Sequence, residues 1–122
     1  MKFMLIIHMN PERWEGLSEE TQNAIGGGHG AFQDKIKASG EMISTYALAD
    51  PSKSSVVHVK SGDRAVTDGP YIESKEFLAG FYLIEAENKE RALEIASQMP
   101  ETQVDGWGIE VREVIHFASG TD

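Results

Sequence analysis

Val66-Thr67-Asp68-Gly69-Pro70-Tyr71-Ile72-Glu73-Ser74-Lys75-Glu76 is a charged turn set between strand-like apolar runs. Asp-Gly-Pro breaks regular structure, because glycine tolerates positive φ while proline fixes φ and lacks an N–H. On its N-terminal side, Ser55–Lys60 and Arg64–Thr67, separated by Ser61-Gly62-Asp63, pattern as a hairpin. On its C-terminal side, Leu78–Glu85 reads as a buried strand. Two strand ends therefore meet at one charged corner. Its Glu73, Lys75 and Glu76 read either as charges that keep a sheet edge soluble or as the rim of a site.

Working outward, Phe3-Met4-Leu5-Ile6-Ile7 is a continuous apolar run, as expected of a central strand, with His8 at its end. Ser18 before Glu19 and Glu20 predicts a helix start, since a hydroxyl can cap free N–H groups and the helix dipole favours acids in the first turn. Ile25, His29, Phe32 and Ile36 form one inward stripe of that helix. Gly26-Gly27-Gly28 interrupts it at a cost of about 1 kcal/mol per glycine, which predicts a kink or break. Gly40 suits the C-terminal cap, Glu41–Leu48 a strand and Asp50-Pro51-Ser52 a turn. Asn88 predicts a second helix with Ala92, Leu93, Ala96 and Met99 inward and Pro100 at its end, and Ile109–Ile115 closes the sheet.

Strand, helix, strand, hairpin, strand, helix, strand is the split βαβ order of a ferredoxin-like α+β domain with one inserted hairpin and both helices on a single sheet face. Residues 1–117 form one such domain, and 118–122 a flexible tail. Tyr46, Phe81, Tyr82 and Val111 are expected on the opposite face, too apolar to stay wet, so a second copy is expected to cover it.

Of 122 residues, 20 are Asp or Glu and 11 Lys or Arg, a formal charge of −9 that repels phosphate backbones and anionic lipids. Neither nucleic acid nor a membrane is an expected partner. The absence of cysteine removes disulfides, thiolate catalysis and thiolate metal sites, and suits a reducing, cytoplasmic setting. His8, His29, His58 and His116 share no metal-ligand spacing, so no metal is expected. Gly26-Gly27-Gly28 lacks the spacing of a nucleotide loop. Trp14 and Trp107 read as plugs of the core or an interface.

The turn Val66–Glu76 resembles the signature of the DGPF branch of the YCII-related superfamily, with Tyr71 where phenylalanine is usual. The resemblance extends to Met1–Ile7, His29-Gly30-Ala31-Phe32, Ala38-Ser39-Gly40-Glu41, Ala79-Gly80-Phe81-Tyr82-Leu83 and Glu110-Val111-Arg112. It implies a dimeric α/β-barrel-type assembly, two sheets face to face with a pocket in each protomer. It also implies that His29 matches a histidine proposed to work with an aspartate as a dyad. In some relatives that aspartate directly precedes the proline ending the second helix, where this chain has Met99. Asp68 then becomes the candidate partner, with a local Asx turn as the alternative. Glu113 stands where the resemblance expects a proline after Arg112.

An imidazole on an inward helix face is either a core group satisfied by a carbonyl or a general acid or base working near neutrality. The expected catalytic residues are His29 and Asp68, and the expected substrate contacts Tyr71, Glu73, Lys75, Arg112, His8 and Tyr46. An arginine such as Arg112 could clamp a carboxylate with two parallel hydrogen bonds, or pair with a nearby glutamate. The function expected is cofactor-free acid–base chemistry, of lyase or isomerase type, on a small anionic or phenolic molecule bound by a homodimer. The alternatives are an accessory module of extracytoplasmic-function sigma factors, which DGPF relatives resemble in being their companions, and a plain ligand-binding dimer.

Overall fold

The computed structural model describes residues 1–71 and 75–121. Strands β1 (Lys2–Met9), β2 (Met42–Ala47), β5 (Phe77–Glu85) and β6 (Ile109–Glu113) form one antiparallel sheet in the order β2-β5-β1-β6. Strands β3 (Ser55–Lys60) and β4 (Asp63–Asp68) form a separate two-stranded hairpin. Helices α1 (Pro11–Gly16), α2 (Glu19–Ala38) and α3 (Lys89–Ala96) complete the chain. This mixed α+β order fits the ferredoxin-like fold, with the hairpin inserted between β2 and β5.

Local chemistry accounts for the element ends. The Ser18 hydroxyl accepts from the Thr21 N–H at 3.1 Å, and Asn88 Oδ1 accepts from the Arg91 N–H at 2.9 Å. Ser61 and Gly62 both take positive φ, the geometry a two-residue hairpin tip requires. The short helix α1, capped by the Asn10 side chain, was not foreseen, because six residues carry too little periodicity.

The core lies between the sheet and helices α2 and α3, built from Phe3, Leu5, Ile84, Ile95, Met99 and their neighbours. Ile25, Phe32 and Ile36 are buried along α2 as the stripe predicts. On α3 the inward set is Ala92, Ile95 and Ala96, while Leu93 points to solvent; the helix stops at Ala96, four residues before Pro100. Tyr82 and Val111 pair with Leu5 and pack on the helix side, correcting their expected place on the open face. Phe81 and Tyr46 do lie opposite, their rings 5.2 Å apart.

The glycine run does not break α2, which is continuous through Gly26-Gly27-Gly28. The physical reason is packing. A Cβ on Gly28 would sit 2.8 Å from Pro100 Cγ, so this helix face must be bare for the 3₁₀ turn Pro100–Gln103 to lie against it. Burial of Ile25 before the run and Phe32 after it holds the helix straight at the cost of glycine's entropy.

Candidate functional site

The contact between Gly28 and Pro100 delivers the next residue on each strand of the packing, His29 and Glu101, to one another. His29 Nε2 lies 2.5 Å from Glu101 Oε2, and His29 Nδ1 lies 2.7 Å from the Tyr82 hydroxyl. The His29 and Tyr82 rings are nearly parallel, at 9° with centroids 5.8 Å apart. Gln33, one turn along α2 from His29, donates its Nε2–H to the same hydroxyl at 3.1 Å.

One proton arrangement that satisfies this chain of groups has a neutral His29. If Glu101 is a carboxylate, it accepts from His29 Nε2–H, so Nδ1 of the neutral ring is an acceptor. Tyr82 then donates to Nδ1 and accepts from Gln33. All donors point one way, from Gln33 through Tyr82 and His29 to Glu101. Burial pushes the Tyr82 hydroxyl above the ordinary phenol range, with the nearby Glu101 charge adding to the shift and the Gln33 and Thr45 hydrogen bonds opposing it.

Glu101 is the anomaly of the interior. It is 2% exposed, the buried charged residue among hydrophobic neighbours, and its Oε1 finds no hydrogen-bond partner among the described residues. Leaving a carboxylate oxygen so placed is costly. The turn that holds it is firm: the Thr102 hydroxyl donates to the Met99 carbonyl at 2.7 Å, and Val104 N–H to the Glu101 carbonyl at 3.1 Å. The His29 side chain keeps 19% of its surface open, as a partly accessible ring should.

The carboxylate facing His29 is thus Glu101 and not Asp68. Asp68 ends β4 at the hairpin base, where it accepts from the Ser55 hydroxyl at 3.2 Å. Tyr71 is exposed and lines an open groove with Leu48, Pro51, Phe77 and Leu78, and Lys75 is exposed. Glu73 lies outside the described residues. Tyr46 is exposed on the open sheet face. His8 and Arg112 are brought together through Glu110, on that same face and away from His29. Glu101, Tyr82 and Gln33 were missed by sequence reasoning. A usable signal existed for Glu101, a carboxylate directly after the proline that follows the second helix. Among the described residues no cluster of three or more His, Asp and Glu could hold a metal ion, and no helix is long and apolar enough to cross a membrane.

A family model described as the YCII-related domain matches residues 1–118. An uncharacterised protein of Rhizobium meliloti (strain 1021) is 29% identical over 90 residues, which cover 74% of this chain and 73% of the relative.

Proposed function

We propose that this chain, which belongs to the YCII-related domain family, is a small homodimeric enzyme that moves protons on a small organic substrate without a cofactor. His29 is the group that takes and returns the proton, Glu101 orients the ring and stabilises the imidazolium, and Tyr82 hands its hydroxyl hydrogen bond to the substrate as that binds. The observation that carries this reading is the buried Glu101 pressed against His29 with one oxygen unpartnered. A buried ionic pair seldom improves on an apolar pair of the same volume, so its presence supports a use beyond stability.

The test is hydrogen–deuterium exchange into a panel of small enolisable ketones, lactones and phenols, followed by NMR. Exchange in at least one compound, falling about 10²–10⁴-fold in His29→Gln and in Glu101→Gln with the fold retained, is the expected result. Exchange that is absent throughout, or unchanged in both variants, defeats it.

One observation favours a second reading. Both ring nitrogens of His29 are engaged within the chain, as in a purely structural network. That suits a non-catalytic accessory module of an extracytoplasmic-function sigma factor, or a dimer that binds a ligand without turnover. Retained ligand response with no proton exchange would select it.

A further inference from the structure

A second histidine–carboxylate pair stands on the other side of the sheet. At the end of β1 the register slips, so that Ile7 pairs with Gly80 but His8 with Leu78. Such a bulge re-aims the side chain that follows it. The His8 carbonyl accepts from Trp107 Nε1 at 2.7 Å, which fixes the backbone independently of the ring. His8 Nε2 lies 2.8 Å from Glu110 Oε1, and Arg112 grips Glu110 Oε2 through Nε at 2.8 Å and through Nη2. Hydrogen bonds from His8 and Arg112 hold the Glu110 carboxyl below the usual carboxylate range. In the neutral ring that donates Nε2–H to this carboxylate, Nδ1 is an acceptor. Nδ1 has no partner among the described residues, and the side chain is 42% exposed.

Beside this ring lies a crevice of about 310 Å³, open mouth included, walled by Met9, Trp14, Leu17, Val104 and Trp107, with the Glu76 carboxylate also at its border. The two tryptophans meet edge to face, centroids 6.2 Å apart at 77°. Arg13 also borders it, but its guanidinium is spent on the carbonyls of Gly106 at 3.0 Å and Asp105 at 2.9 Å, where it pins the loop carrying Trp107. Most of that space is the open mouth, so a single-ring occupant would lie partly in solvent.

The geometry points to a second ligand site, separate from His29 and independent of the acid–base reading, that takes a phenol: the ring against Trp14 and Trp107, the hydroxyl donating to His8 Nδ1. The walls select an aromatic body. The open Nδ1 acceptor selects a donor on it. A carboxylate would set an acceptor against an acceptor and a second anion near Glu110, while a bare arene leaves Nδ1 unpaired.

The experiment is an NMR titration of the full chain with phenol, with toluene and benzoate as controls, reading the His8 ring and the Trp107 indole N–H. Phenol should shift both, and toluene and benzoate should need roughly tenfold more ligand, the worth of one hydrogen bond. His8→Phe should lose about tenfold in phenol affinity with the fold intact, because Trp107 bonds the backbone of residue 8 and not its ring. Glu110→Gln, which leaves the ring free to choose its tautomer, should weaken phenol without affecting toluene. Phenol that binds no better than toluene, binds His8→Phe as well as the native chain, or shifts His29 alone overturns the proposal.

Discussion

Tyr82 links the core to the candidate site, and its hydroxyl is the group whose ionisation would be felt by both. Its folded-state pKa is raised by burial. The sign follows: the contribution to stability is fully present below the unfolded value of about 10 and is lost as pH rises through the higher folded value. Absorbance near 295 nm, a wavelength of about the tyrosinate maximum, should therefore show one ionisation displaced above the ordinary phenol range. Tyr82→Phe should abolish that component; a titration in which it persists assigns the displacement elsewhere. The same residue shows what could not be read ahead of the structure. Phe81, Tyr82, Leu83 and Ile84 are all apolar, so alternation carries no parity, and which two face the helices is decided by pairing with Leu5 and Phe3. His29, by contrast, was legible from its helical stripe, because the 3.6-residue period needs no partner to define a face. Glu101 was not, because its position depends on how closely one turn approaches another helix.

At the scale of elements, that approach makes a sharp pair of substitutions. Gly27 and Gly28 are adjacent in α2, yet a Cβ at Gly27 meets nothing within 4 Å whereas one at Gly28 meets Pro100 at 2.8 Å. Gly27→Ala should stabilise the chain by about 1 kcal/mol, the helix-propensity gain. Gly28→Ala should forfeit that gain and destabilise by about 1–3 kcal/mol, as overpacking does, while displacing Glu101 from His29. Chemical denaturation with the His29 ring signals as a second readout separates these outcomes; equal behaviour of the two variants would mean that the turn yields freely. The helix caps and strand spans were legible because each rests on local chemistry, Ser18, Asn88 and the apolar runs. The unbroken path of α2 through three glycines was not, since tertiary packing overrode local propensity.

At the scale of the molecule, the sheet has one face under helices and one without them, and that second face carries Met4, Ile6, Phe81 and Leu83, of which Ile6 and Leu83 are already buried within the chain, with Tyr46 exposed at its side. A second copy laid on that face is the proposal that goes with the assembly. Light scattering at micromolar concentration should give twice the chain mass, and Phe81→Glu, which sets a charge in the middle of the face, should give the chain mass alone. A native monomer at that concentration would defeat it. The strand order holds one more consequence, for the time course of folding. β1 leaves the ribosome well before both its neighbours, since β5 and β6 begin only at residues 77 and 109. Its apolar run must wait without an edge partner while the segment up to β5 is made, so the sheet closes late, through large loops, at the slow end of small-domain folding. Until then Phe3–Ile7 is the segment a chaperone would hold.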